Sequence, residues 1–141
     1  MHTWQPTLPP APILVVEDDP DTRLLLRDGL THAGLSVTAV AGGRAALTWL
    51  EDTRPALVLL DLGLPDLTGQ AVAEGLRARY GPGVPLLVVT GAAHPLEGAA
   101  EARALVYVRK PFTIAELLVA VRALLSAAAD CAESATPAAA H

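Results

Sequence analysis

Three acidic side chains, one threonine and the only lysine of the chain stand directly after runs of apolar residues. ILVV (13–16) runs into Glu17-Asp18-Asp19, LVLL (57–60) into Asp61, LLVV (86–89) into Thr90-Gly91, and YVR (107–109) into Lys110-Pro111. Glu17 and Asp18 facing Asp61 would gather negative charge at one place. Two such charges 4 Å apart repel by about 4 kcal/mol at an effective dielectric of ~20. A cluster of this kind is relieved by protonating one carboxyl or by binding a hard cation. A few carboxylates with open coordination positions suit Mg2+, which keeps waters and accepts phosphate oxygens. Asp61 is the best candidate nucleophile, because a carboxylate can form a covalent acyl-phosphate. The Thr90 hydroxyl can donate to a phosphoryl oxygen. The other nine basic residues are arginines, so Lys110 stands out. A compact ammonium on a long stem suits reaching a phosphoryl oxygen or a carboxylate.

Each of these residues also has a plainer reading. Glu17 and Asp18 alone could cap a helix and solubilise a sheet edge, and Thr90 alone could be a β-branched strand residue. Asp19 precedes Pro20, which suits an N-cap followed by proline at the first helical position, and Asp19 is left out of the site. Tyr107 reads either as a half-buried strand aromatic or as a side chain that switches rotamer. The Lys110–Pro111 bond is a candidate cis peptide, since a tight strand-to-helix turn is where such bonds occur. His2, His32, His94 and His141 show no metal-ligand spacing. Trp49 reads as helix packing and Gly42-Gly43 as a turn. No Walker loop, dinucleotide glycine motif or nucleophile elbow is present.

The elements that must carry these residues follow from hydrophobic patterning. Residues 13–16, 57–60 and 86–89 are apolar at every position, with weaker runs at 35–40 and 105–108. Runs without alternation suit strands covered on both faces, as in parallel sheets. Helical periodicity falls between them, at 20–33, 43–51, 69–80 and 114–125, with a short fourth helix expected at 96–103. Gly34 suits the position just past the end of the first helix. The pattern is α/β: a doubly wound (βα)5 fold with a five-stranded parallel sheet and helices on both faces. Order 2-1-3-4-5 puts the switch point between strands 1 and 3, where Glu17, Asp18 and Asp61 stand.

Composition agrees with one folded domain. The chain has 141 residues, 52% of them hydrophobic and 18% charged, which excludes a charge-rich disordered tail. A net charge of −5 argues against direct nucleic-acid binding. One cysteine excludes an internal disulfide framework. No run approaches the ~18–20 apolar residues of a membrane span, so membrane insertion is not expected and a cytoplasmic location is. Residues 1–12 form a Pro-rich N-terminal tail, 12–126 the domain, and 127–141 an Ala-rich C-terminal tail expected to extend the last helix briefly and then fray.

ILVVEDDP, VLLDLGLPDLTG, LLVVTG and YVRKPF, in this order and spacing, resemble the receiver domain of two-component response regulators, a flavodoxin-like fold. The resemblance covers about residues 12–126, and it is the combination of four motifs that makes it specific. It implies that Asp61 is the phosphoacceptor and that Glu17 and Asp18 are the acidic pair holding Mg2+ (or Mn2+), Asp18 the more directly. It further implies that the Gly63 backbone carbonyl is a metal ligand and that Thr90 and Lys110 contact the phosphoryl group. Tyr107 would be the switch aromatic and Pro111 the cis-proline. The implied partner is a histidine kinase or a histidine phosphotransfer protein. Phosphorylation would switch the face of helix 4, strand 5 and helix 5 toward a downstream protein or a homodimer. Helix 1, with Asp21, Arg23 and Arg27 among its exposed positions, would dock the kinase.

The chain departs from the family pattern between Thr90 and Lys110, which lie about two residues closer than usual. The glycine that commonly precedes strand 5 is missing, and Gly98 weakens the short fourth helix. These departures touch the output face rather than the acidic site. Two other functions remain open from sequence. A phosphohydrolase would need a second aspartate as general acid at position 63, where Gly63 stands. A phosphorylation-independent pseudo-receiver would have no need of the acid–Thr–Lys set. The 15 residues after the last helix are too few for an enzymatic or DNA-binding output, so a stand-alone receiver or a piece of a longer chain is expected.

Overall fold

Strands that are apolar at every position need cover on both faces, and the sheet obtains it from two helical layers. The computed structural model describes residues 11–61, 69–90 and 105–139. Five strands, β1 (Ile13–Val16), β2 (Val37–Val40), β3 (Leu57–Asp61), β4 (Leu86–Thr90) and β5 (Leu105–Arg109), form one sheet in the order β2-β1-β3-β4-β5. All four ladders are parallel, with Val16 paired to both Val40 and Leu60, and Asp61 to Val89. The helices are α1 (Pro20–His32), α2 (Gly43–Asp52), α3 (Gly69–Tyr80) and α4 (Ile114–Ala139). This is the flavodoxin-like topology expected from the alternation of strands and helices.

Side chains alternate across each strand and so divide into two cores. Leu14, Val16, Val58, Leu60, Leu86 and Val88 pack with Ala46, Leu50, Val72 and Leu76 of α2 and α3. Ile13, Val15, Leu57, Leu59, Leu87 and Val89 pack with Leu26, Leu30, Leu117, Val121 and Leu124 of α1 and α4. The two outer helices of this second layer approach closely. A Cβ at Gly29 of α1 would lie 3.0 Å from Ile114 of α4.

The ends of α1 are set by their own residues. Asp19 is the N-cap, its Oδ2 accepting from the Thr22 backbone N–H at 2.9 Å and from the Thr22 hydroxyl at 2.6 Å, and Pro20 takes the first helical position. At the other end Gly34 has φ 93°, a conformation that costs glycine little. The N–H of Leu35 bonds the Leu30 carbonyl and that of Gly34 the Thr31 carbonyl, a Schellman closure. Leu35 is therefore spent on the helix end, and β2 begins at Val37 rather than at the expected residue 35.

The other boundaries differ by small amounts. β3, β4 and β5 each run one residue beyond the apolar stretch, taking Asp61, Thr90 and Arg109 into the ladder. The last helix runs to Ala139, well past residue 125 and through most of the segment expected to fray. Alanine has the highest helix propensity, and this segment is rich in it. Residues 1–10 of the tail expected at 1–12, the loop holding Gly63 and the short helix expected at 96–103 lie outside the described residues. For that reason the helix counted fifth in the sequence is α4 here.

Candidate functional site

The β1–β3 ladder positions the acids. Val16 pairs with Leu60, so the next residues along both strands are Glu17 and Asp61. The Glu17 backbone N–H still bonds the Val40 carbonyl of β2, at 3.1 Å, which holds its peptide in the sheet. Both residues are buried, Glu17 at 1% and Asp61 at 6% exposure. Among the described residues they are the only buried charged ones. Asp18, half-buried, joins them: one carboxylate oxygen from each of Glu17, Asp18 and Asp61 lies within 4.8 Å of the others.

Lys110 reaches this cluster from the far side of the sheet. It follows β5, forty-nine residues beyond Asp61, and its Nζ lies 3.4 Å from Asp61 Oδ2 and 3.7 Å from Glu17 Oε1. The second distance is too long for a hydrogen bond. Glu17 Oε1 accordingly has no hydrogen-bond partner although it is buried. Glu17 Oε2 accepts from the backbone N–H of Asp19 at 3.2 Å. The Lys110–Pro111 peptide bond is cis.

The Glu17 carboxyl is pushed up from 4.5 to about 7. Burial is the largest cause, followed by the neighbouring Asp61 carboxyl, which disfavours a second charge beside it. The Asp19 N–H and the Lys110 ammonium oppose the rise without cancelling it. Asp19 behaves in the opposite sense, held below its usual value by the two bonds from Thr22.

A buried carboxylate oxygen without a donor, beside two more carboxylates, is a poor arrangement for the protein alone and a good one for a cation. The donors are all oxygen, which suits Mg2+ or another hard divalent ion rather than a soft one. Glu17, Asp18 and Asp61 fit such an ion, and the orphaned Glu17 Oε1 is the observation that says so. The Gly63 carbonyl, expected as a further ligand, lies outside the described residues.

The remaining expected residues fall on the neighbouring strands. Thr90 is the last residue of β4, paired with Arg109 of β5, so its backbone stands at the same edge as Asp61 and Lys110. Tyr107, on edge strand β5 opposite Val88, is 39% exposed. On α1, Asp21 and Arg27 are exposed as expected, whereas Arg23 is not. Its guanidinium turns back over the acidic loop, Nη1 donating to the Glu17 carbonyl at 3.1 Å and to the Asp18 carbonyl at 3.2 Å. A readable signal for this existed: Cβ atoms tilt toward a helix N-terminus, so a long side chain four residues after an N-cap lies over the incoming loop.

Comparison with known proteins gives one consistent result. A family model described as the response regulator receiver domain matches residues 13–122. The response regulator MprA of Mycolicibacterium vanbaalenii is 42% identical over 118 residues, which are 82% of this chain and 51% of that protein. The chain thus spans about half the length of the curated relatives it matches. A CheY-like receiver domain protein from Methanospirillum hungatei superposes with a TM-score of 0.79 at 27% identity, over 86% of this chain and 98% of that one. The receiver domain of a sensor histidine kinase from Pseudomonas aeruginosa, solved with a magnesium ion in its active-site cleft, gives a TM-score of 0.72 at 32% identity. That match covers 84% of this chain and 99% of the other.

Proposed function

This chain belongs to the response regulator receiver family, and from that premise we propose that Asp61 accepts a phosphoryl group from a phosphohistidine of a kinase or phosphotransfer protein. The observation that carries the proposal is the meeting of Lys110 Nζ with Asp61 and Glu17 inside a cluster of three carboxylates. In the transfer, an Asp61 carboxylate oxygen bonds to phosphorus as the phosphorus–nitrogen bond of the donor breaks. The departing imidazole keeps the electron pair and takes up a proton.

Phosphoryl transfer demands positioning and charge neutralisation more than covalent chemistry from the protein. The central strand β3 supplies the first by fixing Asp61 between β1 and β4. Lys110 supplies part of the second, its ammonium standing where it can pass from the carboxylate to a phosphoryl oxygen. Thr90, the last residue of β4, would offer a hydroxyl to another. Glu17 and Asp18, with Asp61 and the Gly63 carbonyl, would hold the divalent ion. That ion, Mg2+ or Mn2+, supplies positive charge to the phosphoryl oxygens that the acids alone would repel. The aspartyl-phosphate then biases a two-state element, with Thr90 and Tyr107 as its moving parts and the β5–α4 side of the sheet as its output face. The domain acts as a cytoplasmic signalling partner rather than a turnover hydrolase, since Gly63 leaves no general acid two residues after Asp61.

The test is direct. Purified protein treated with acetyl phosphate and Mg2+ gains about 80 Da by intact mass, the mass of one phosphoryl group. Asp61→Asn gains nothing, and chelation of the ion abolishes the gain in the wild type. Absence of the adduct in wild type, or its persistence in Asp61→Asn, overturns the assignment. A phosphorylation-independent module would instead bind its partner equally well with and without Asp61→Ala.

A further inference from the structure

Arg23 was expected on the kinase-facing surface of α1, and its placement is different. It sits one turn into the helix, half-buried, with Nη1 shared between the carbonyls of Glu17 and Asp18. These are the two peptides that set the directions of the two acidic side chains. Its own backbone N–H bonds the Asp19 carbonyl at 2.8 Å, so the side chain and main chain of one residue hold three consecutive carbonyls, 17, 18 and 19. The loop is tied from its other side as well, by Asp19 N–H to Glu17 Oε2 and by the Thr22 contacts of Asp19.

We infer that Arg23 is a positioning residue for the divalent-cation site, acting through the loop backbone rather than through its charge. The inference rests on the cation-site reading given above. The bonds of Arg23 run to carbonyl oxygens, not to the carboxylates, so its role is to fix where Glu17 and Asp18 point. A cation held by few protein ligands depends on their being aimed before it arrives. Partners that orient metal ligands are commonly worth 10- to 100-fold in metal affinity. Both bonds leave from one nitrogen, Nη1, whose two N–H groups are fixed in the guanidinium plane, whereas the N–H groups of a lysine ammonium rotate freely on a flexible stem.

The test uses the full chain with Arg23→Lys and Arg23→Met, titrated with Mg2+ alone by calorimetry. Each variant is then labelled with acetyl phosphate over a range of Mg2+. Both variants are expected to bind Mg2+ about tenfold more weakly, the low end of the range for such partners. Their labelling should return toward the wild-type maximum at saturating Mg2+, a split between affinity and capacity that a general loss of stability would not produce. Wild-type affinity in both variants overturns the inference. So does wild-type affinity in Arg23→Lys alone, which would show that any cationic donor at this position suffices without the fixed guanidinium. So does a labelling defect that saturating Mg2+ leaves unrepaired. If Arg23→Met does not fold, Arg23→Lys decides the matter. A wild-type protein that binds no Mg2+ overturns the cation-site reading itself, and that result is distinct from weakened binding confined to the variants.

Discussion

At the N-terminal ends of the strands, where α2 and α3 finish, polar groups are matched one to one. The Tyr80 hydroxyl donates to the Leu50 carbonyl, Arg79 donates to the Glu51 carbonyl, and the Arg54 guanidinium lies 5.5 Å from the centre of the Tyr80 ring. At the C-terminal ends of the same strands the matching fails. Three carboxylates converge, one buried oxygen has no donor, and a single ammonium is divided between Asp61 and Glu17 at 3.4 and 3.7 Å. Both ends are built on one sheet from the same apolar runs, so the difference is not one of packing. The first end joins α2 to α3 with satisfied contacts. The second keeps an electrostatic conflict that an incoming cation would relieve. Natural sequences depart from local consistency mainly where function requires it, and among the described residues the departure lies at one edge.

If the contrast is correct, removing the cation at the conflicted end has the greatest consequence. Lys110→Ala should lower the rate of labelling by acetyl phosphate by about 100-fold or more, the usual scale for deleting one donor aimed at developing charge. A time course of intact mass at saturating Mg2+ measures it. Labelling at near the wild-type rate would mean that the 3.4 Å contact with Asp61 is structural only.

Next comes the stability of the conflicted end itself. The Glu17 carboxyl stands at about 7 in the folded protein against 4.5 as a free group. The folded state therefore binds this proton more tightly than the unfolded state. Its contribution to stability is fully present below pH 4.5 and is lost as pH rises through 7. At about 1.4 kcal/mol per unit, the difference is about 3 kcal/mol. In the presence of chelator, unfolding by urea at pH 5 and pH 8 should show the wild type losing stability with rising pH. Glu17→Gln, neutral at both, should lose much less and be the more stable protein at pH 8. Asp19, whose value is lowered, adds a trend of opposite sign only in more acid solution, below the range compared. Equal pH slopes in wild type and Glu17→Gln would remove the conflict on which the contrast rests.

The sequence disclosed the conflicted end more fully than the satisfied one, for a physical reason. Apolar runs ending in Glu17, Asp61, Thr90 and Lys110 mark strand ends, and parallel order brings strand ends to one edge. Local patterning and one topological rule thus place the acids together. The Schellman glycine, Gly34, and the Asp19-Pro20 start of α1 were readable because each depends on a few neighbouring residues. Arg23 was misplaced because amphipathic periodicity says which face a helical residue occupies but not how far its side chain folds back. The extent of the last helix was underestimated because alanine has strong helix propensity yet no apolar stripe to reveal it. The Tyr80–Leu50 and Arg54–Tyr80 contacts join residues about thirty positions apart, on helices whose crossing no local pattern specifies.

That matched end gives the smallest of these effects, and the most discriminating one. Tyr80→Phe keeps the ring against the α2–α3 core and under Arg54 and removes only the hydroxyl bond to the Leu50 carbonyl. Loss of one such bond costs about 1 kcal/mol, which for a domain of this size lowers Tm by a few degrees, roughly 3–5 °C. Mg2+ affinity and the rate of acetyl-phosphate labelling should be unchanged, because β3 and β1 lie between this contact and the acids and are held by their own ladders. The two measurements, made on one sample, separate stability from chemistry. A labelling defect in Tyr80→Phe would show that strain at one end of the sheet is transmitted to the other. The matched contacts would then belong to the signalling element rather than to the scaffold.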